Sequence, residues 1–442
     1  MGWIPPQAAI YNDRPDSTLL LLERGANTET QSTRDQTIFY MASSRGFADV
    51  VRLLIDHGAD VDVKCDDLDE DSEKVWWTPL HAATYNDHPD IAHLLLERGA
   101  DTETRSSQDQ TPLYMASSRG LAKVVQLLID YGADVDAKCD DRRGSNHVGR
   151  TPLQAAIYKD HPNIVPLLLE RGANTNTRSS QDQTPLYMAS SRGSAEVVRL
   201  LIIHGADVDV ECDDLDEDNE KVRWTPLHAA IYNDHPDIAL LLLERGANTK
   251  TRSSHQTPLY MASSRGFTEV ARLLIDRGAD MDTECADRRG FNHVMWTPLY
   301  VAIRKDHPDI ALLLLERGAS METQRNQDQT PLYMASSRGF AEVVRLLTDR
   351  GAHVDAKCDD SDESVHVRWT PLHVASNHGK LEIARILLER GGDVHCRDNW
   401  GWSPLHHASW RGFDNVSQLL LDHGANPNAA NASGKTALHV AS

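Results

Sequence analysis

The tripeptide Thr-Pro-Leu recurs nine times in this chain, starting at Thr78, Thr111, Thr151, Thr184, Thr225, Thr257, Thr297, Thr330 and Thr370. Successive starts are 33, 40, 33, 41, 32, 40, 33 and 40 residues apart, and Ser403-Pro404-Leu405 and Thr436-Ala437-Leu438 continue the series at intervals of 33. A period of this size means that one small unit is stacked many times, not that one globular core is built. In such a stack each unit touches only its neighbours, so the 442 residues need not divide into the roughly three domains their length would otherwise suggest. Stacks of this kind present extended binding surfaces, and chemistry is rarely built on them.

The stretch from Thr78 to Gly99 shows why the unit folds. Thr78 is a good helix N-cap and Pro79 suits the first helical position. Leu80, Ala82 and Ala83 give a short helix a small apolar face, which Asp87-His88-Pro89 ends. Pro89 restarts a second helix in which Ile91, Leu94 and Leu95 fall on one stripe. Arg98 favours the negative end of the helix dipole, and Gly99 supplies a left-handed cap. Two helices this short cannot bury their faces alone, so each unit must lean on the next.

This pattern resembles the ankyrin repeat. The resemblance is carried by TPLH at 78–81, 225–228 and 370–373, and by TPLY at 111–114, 184–187, 257–260, 297–300 and 330–333. Second halves such as EVVRLLIIHGADVDV at 196–210 and EVARLLIDRGADMD at 269–282 fit as well. The resemblance implies an all-α repeat solenoid of stacked helix-turn-helix units with β-hairpin-like fingers, curved into a superhelix. It covers residues 1–442 as a single array. Its approximate repeats are 3–29, 37–64, 78–104, 111–138, 151–177, 184–211, 225–251, 257–284, 297–323, 330–357, 370–396 and 403–429, with a partial one at 436–442. The family usually places Gly before the second helix. Arg45-Gly46, Arg119-Gly120, Arg192-Gly193, Arg265-Gly266 and Arg338-Gly339 keep it, whereas Asp-His-Pro replaces it at 87–89, 160–162, 234–236 and 306–308. That exchange is expected to alter only the turn. The first unit, around Trp3-Ile4-Pro5-Pro6-Gln7, is degenerate, as a terminal cap often is. The last ends part-way through a first helix, so a longer array is expected.

Short and long connections alternate. The long ones begin at Cys65, Cys139, Cys212, Cys285 and Cys358, spaced 74, 73, 73 and 73 residues apart. Three of these fingers are acidic, as in CDDLDEDSEKVWW at 65–77. Two carry paired arginines, as in CDDRRGSNHVGR at 139–150, so residues 65–211 read as duplicated in 212–357. At helix-packing distance of about 8–10 Å per layer, equivalent cysteines sit roughly 20 Å apart, far beyond disulfide reach. With Cys396 they read as free thiols of a reducing compartment.

The net charge of −21, from 45 Lys plus Arg against 66 Asp plus Glu, disfavours direct nucleic-acid binding and an anionic membrane surface. A partner with a basic patch would be attracted. No apolar run reaches the roughly 18 residues that span a bilayer, and the N-terminus has no signal-peptide pattern. An intracellular place, cytoplasmic or nuclear, is expected.

Chemistry finds little support. Asp67 to Thr78 and Asp214 to Thr225 begin like calcium loops, but Ser72 stands where the loop needs Gly and Thr78 where it needs Glu. His81, His228 and His373 follow Thr-Pro-Leu, where the resemblance implies hydrogen bonds between adjacent turns, and His406-His407 cannot easily share a metal. Cys139 and His147 are read as structural, not as nucleophile and base. No Gly-rich phosphate loop or nucleophile elbow is present. Trp77, Trp224, Trp296 and Trp369 each precede a Thr-Pro-Leu and read first as anchors for a long finger, second as hot spots for a partner. No enzyme activity, cofactor or metal is expected.

The resemblance further implies contact through the concave side, made of finger tips and exposed first-helix ends. Here that gives Tyr85-Asn86, Tyr158-Lys159, Tyr232-Asn233 and Arg304-Lys305 in one set of units, and Ser118-Arg119, Ser191-Arg192, Ser264-Arg265 and Ser337-Arg338 in the other. Tyr, Asn, Ser and Arg are the side chains that interfaces use. The expected function is a non-catalytic scaffold or adaptor for a protein partner, basic or repetitive in character. The alternative is the recognition portion of a larger protein or a transcriptional coregulator whose effector domain lies elsewhere.

Overall fold

The computed structural model describes residues 4–26, 37–68, 74–141, 148–215, 221–253, 256–286, 295–321, 329–358 and 368–441. It is a helical repeat solenoid, with twenty-five helices and four two-stranded hairpins among the described residues. The chain forms two compact units, residues 1–245 and 246–442.

In the first unit, seven helix pairs follow one another from Pro5–Tyr11 and Pro15–Glu23 to Pro226–Tyr232 and Pro236–Glu244. First helices pack on first helices and second helices on second helices of the neighbouring repeat. The start of each pair is set by the cap that the sequence proposes. Thr111 accepts the Tyr114 N–H at 3.2 Å, and Thr184 accepts that of Tyr187 at 3.3 Å. The first helix is sandwiched on both sides, so its whole front half is buried, Pro112 to Ser117 in the helix Pro112–Arg119. Second helices bury only a stripe, such as Val124, Val125, Leu128 and Ile129 in Ala122–Asp130. Helices of seven to nine residues are too short to persist alone, so this inter-repeat burial holds them.

The second unit repeats the scheme from Pro258–Arg265 and Thr268–Asp276 to Pro404–Arg411 and Asp414–Asp422. A last short helix, Ala437–Ala441, packs against Pro404–Arg411, and Leu438 on it is 78% exposed.

Long fingers are hairpins with one shared register. Cys65 pairs with Trp77, Cys139 with Arg150, Cys212 with Trp224 and Cys285 with Trp296, and an isolated bridge joins Cys358 to Trp369. All six cysteines are free and buried. The finger cysteines return to the N-cap of their own repeat: the Thr111 N–H points at the Cys139 sulfur at 3.5 Å, and Thr37 Oγ1 lies 3.4 Å from that of Cys65.

The Asp-His-Pro exchange does more than alter a turn. The backbone is kept, because Asp87, Asp160, Asp234 and Asp306 adopt positive φ between 56° and 65° at the place of the glycine. Asp tolerates that region better than most residues. The following histidine then reaches back to the preceding repeat. Nε2 of His88, His161 and His307 donates to the Ser44, Ser118 and Ser264 carbonyls at 3.1, 3.0 and 3.2 Å.

Candidate interaction surface

Within each unit, the last turns of the first helices carry the residues that the sequence singles out, and several of them contact one another. Trp77 stacks on Tyr85 with centroids 4.7 Å apart, and the Arg119 guanidinium of the next repeat lies 4.0 Å from the same ring centroid. Trp224 stacks on Tyr232 at 4.3 Å. Tyr158 lacks a tryptophan neighbour and instead has the guanidinium groups of Arg150 and Arg192 at 3.7 and 4.5 Å. Asn86 donates to Ser44 and Asn233 to Ser191, both at 3.2 Å. Asn86, Arg119, Tyr158, Lys159, Arg192, Asn233, Lys305 and Arg338 remain exposed; Tyr85, Tyr232, Arg265 and Arg304 are partly buried. Of the serines, Ser118 turns back to the Met115 carbonyl at 2.9 Å, and Ser118, Ser191, Ser264 and Ser337 are all partly buried.

Where tyrosine ends the first helix at 85 and 158, the arginine of the next repeat lies over its ring. A tyrosine offers a flat π face, which attracts a guanidinium. Where Arg304 replaces tyrosine, it lies over Trp296 at 4.5 Å, and Arg338 of the next repeat pairs with Asp306 at 2.5 Å. Two further members follow the same spacing and escaped the sequence reading. Arg45 lies 5.4 Å from the Tyr11 ring and donates to its carbonyl at 3.1 Å, and Arg411 donates Nε to Asn377 Oδ1 at 3.1 Å. The 34-residue offset that links Tyr85 to Arg119 and Tyr158 to Arg192 finds both.

The tryptophans are anchors by geometry. Trp77 and Trp224 are buried among Cys65 and Tyr40, and Cys212 and Tyr187, respectively. Trp369 donates to Asp398 at 3.3 Å and meets His407 edge-on.

Two of the histidines that follow Thr-Pro-Leu, His81 and His373, tie layers together. His81 Nδ1 faces Thr78 Oγ1 at 2.8 Å while Nε2 donates to the Gln110 carbonyl at 3.1 Å; His373 repeats this with Thr370 and the Trp402 carbonyl. Burial lowers the His81 pKa to about 4 and depresses that of His373. Gln154 takes the same place, accepting the Thr151 N–H at 3.0 Å and donating to the Thr177 and Gln183 carbonyls. His406 and His407 have separate tasks: His406 bonds Ser403 and the Lys435 carbonyl, and His407 bonds the buried Asp398 at 3.0 Å. Burial works to raise the Asp398 pKa, but hydrogen bonds from His407 and the Trp402 N–H outweigh it and hold the carboxyl below its usual range.

Part of the acidic balance is structural. Asp62 accepts the Asp101 N–H at 3.1 Å, Asp136 that of Asn174 at 2.9 Å, Asp282 that of Ser320 at 2.8 Å and Asp355 that of Asp393 at 3.0 Å. In the calcium-like stretches, Asp69 to Glu73 and residues 216–220 lie outside the described residues, and Asp214 takes a hydrogen bond from the buried Tyr187 hydroxyl. His147 also lies outside them; the Cys139 thiol is pushed up by burial. Among the described residues no group of three or more His, Cys, Asp or Glu side chains could hold a metal ion, and no helix is long and apolar enough to cross a membrane.

A family model for ankyrin repeats matches the chain in overlapping segments from residue 7 to residue 442. The chain is similar to ankyrin repeat and SOCS box protein 16 of Mus musculus, 33% identical over 51% of this chain and 47% of that protein. It is similar to glycerophosphocholine phosphodiesterase GDE1 of Candida albicans, 31% identical over 54% of this chain and 20% of the relative. It is also similar to ankyrin repeat protein nuc-2 of Neurospora crassa, 27% identical over 48% and 21%. The matches thus span between a fifth and about half of these relatives. Among solved structures, the ankyrin repeat domain of Bcl-3 aligns with a TM-score of 0.41 and 29% identity, over 52% of this chain and 94% of that one.

Proposed function

The chain belongs to the ankyrin-repeat family, whose repeats are generally protein-interaction modules, and on that premise we propose that it is a non-catalytic scaffold or adaptor. It binds a protein partner through the first-helix ends of each unit. The observation that carries this reading is the row itself. Tyr, Asn, Lys and Arg side chains recur at the same place repeat after repeat, held by stacking and hydrogen bonds while an exposed face remains. Side chains fixed before binding lose less entropy when a partner arrives. The charge of −21 favours a partner that is basic overall and disfavours nucleic acid. Six free, buried thiols support a reducing intracellular compartment.

The test is capture of partners from the source lysate with identification by mass spectrometry. Wild type is compared with a variant carrying Arg119→Gln, Lys159→Gln, Arg192→Gln, Lys305→Gln and Arg338→Gln, its fold checked by circular dichroism. A protein held by wild type and lost from the variant supports the row. Equal capture by both removes the site from it.

A second reading, in which the array is the recognition portion of a larger protein or a transcriptional coregulator, draws on the greater length of the relatives, of which the matches cover 20–47%.

A further inference from the structure

Arg150 stands where four other long fingers carry tryptophan, opposite a buried cysteine in the same register. It is only 7% exposed, its Nε makes no hydrogen bond, and among the described residues no carboxylate lies within ion-pair distance. Its guanidinium packs 3.7 Å from the centroid of Tyr158. Arg192 approaches the same ring to 4.5 Å and the Lys159 ammonium to 5.7 Å. Three cations therefore converge on one tyrosine in a chain whose net charge is −21.

Anchoring the finger does not require this. Tryptophan does that task at positions 77, 224, 296 and 369 without introducing a charge. Nor is an acid lacking nearby in sequence. Asp160 holds the place that Asp306 holds before Arg338, but Arg192 lies on the Tyr158 ring, as Arg119 does on Tyr85, and leaves that acid aside. A buried guanidinium with an idle donor and no counter-ion among the described residues is unfavourable, and like charges beside it add repulsion. An anion delivered from outside beside the Tyr158 ring would offset the positive charge gathered there.

We propose that Arg150, Arg192 and Lys159 form a receptor beside Tyr158 for the carboxylate of an Asp or Glu side chain on the protein partner. The inference rests on the interaction surface proposed above and names the chemistry read at one place along it. The guanidinium fork matches a planar carboxylate with two parallel hydrogen bonds. A carboxylate fits better than a phosphate, because the negative field of the whole chain penalises a dianion more than a monoanion. The same field draws in a partner that is basic overall, and a lone carboxylate within that partner then fixes its register on the row. Tyr158 is 37% exposed and leaves the approach open.

The experiment follows the arginine Nε–Hε resonances of the full chain, labelled with 15N-arginine. The titrants are a blocked Gly-Glu-Gly peptide, its Gly-Gln-Gly counterpart and inorganic phosphate, at constant ionic strength. Saturable shifts at Arg150 and Arg192 are expected with the glutamate peptide, and binding at least tenfold weaker with the glutamine peptide. Arg150→Trp installs the residue of the sibling fingers, so its circular dichroism and urea midpoint should stay close to wild type, while binding monitored at Arg192 falls at least tenfold. Arg192→Gln, monitored at Arg150, should show the same loss without touching the finger. No saturable shift in wild type, or unchanged affinity in both variants, overturns the receptor; tighter binding of phosphate than of the glutamate peptide overturns the carboxylate assignment. Lysate capture separates this from the parent reading. A partner held equally by wild type and Arg150→Trp, with no peptide shift, removes the receptor and leaves the row standing.

Discussion

A methyl group on Gly120 would lie 2.7 Å from Nδ1 of His161 in the next repeat. Gly120 has φ +75°, and His161 donates through Nε2 to the Ser118 carbonyl two residues earlier, so the imidazole is seated on the glycine. The same fit recurs between Gly46 and His88, Gly193 and His235, and Gly266 and His307. Gly132 has φ +91° but open space around the missing side chain. Gly132→Ala should therefore cost about 1–2 kcal/mol for the left-handed backbone alone. Gly120→Ala should cost at least about 1 kcal/mol more, because the ring must move. Urea unfolding of both variants measures the difference; equal losses would show that the histidine gives way freely.

The buried neutral histidines make the stack acid-sensitive. His81 has a folded pKa of about 4, below the 6.5 of the unfolded chain. Between those values the unfolded state binds more protons, so the stability present above pH 6.5 is lost as the pH falls towards 4. For His81 this amounts to about 2–3 kcal/mol at pH 4.5. His81→Gln copies what Gln154 does in a sibling repeat and should stay within about 1 kcal/mol of wild type at pH 7.5. It should also lose less stability at pH 4.5. Urea midpoints at the two pH values decide it.

The thiols should be inert in the folded chain. Burial pushes Cys396 up to about 12 and raises Cys139, Cys212 and Cys285. At pH 8 a thiol of pKa about 12 is roughly one part in 10⁴ thiolate, against about a quarter for an unperturbed one. Ellman's reagent should label Cys396 at least about a thousandfold faster in denaturant than in buffer. Rapid native labelling, located by peptide mapping, would contradict the packing around it.

Tyr85 joins two repeats by lying against Trp77 of its own finger base and under Arg119 of the next repeat. Tyr85→Ala removes both contacts and should cost about 1–3 kcal/mol. Arg338→Ala removes an exposed ion pair to Asp306, worth at most about 1 kcal/mol and weakened further by salt. Unfolding in 50 and 500 mM NaCl separates them, since only the second effect should shrink in salt.

Much of the fold is legible in the chain because each signal is local. Thr78 and Thr111 with proline after them start helices, and the apolar stripe of Val124, Val125 and Leu128 ends at a capped turn. The row of Tyr85, Arg119, Tyr158 and Arg192 was legible as positions, because the repeat fixes them. Its internal stacking was not, because contacts between residues 34 apart depend on how layers meet. The role of His161 escaped for the same reason: in sequence it is part of a turn, and only the next layer turns it into a lock.

The sequence alone determined that this chain is a stack of ankyrin repeats, how a repeat such as Thr78 to Gly99 starts and caps its helices, and which residues recur from repeat to repeat. These properties follow from the period and from capping and burial rules that act within a few residues. Tertiary structure alone decided which recurring residues meet, so that Arg119 lies on Tyr85 while Arg338 turns to Asp306, and so that Arg150 is buried with no carboxylate in ion-pair reach among the described residues. Those outcomes depend on distances between neighbouring layers, which a local residue pattern does not encode.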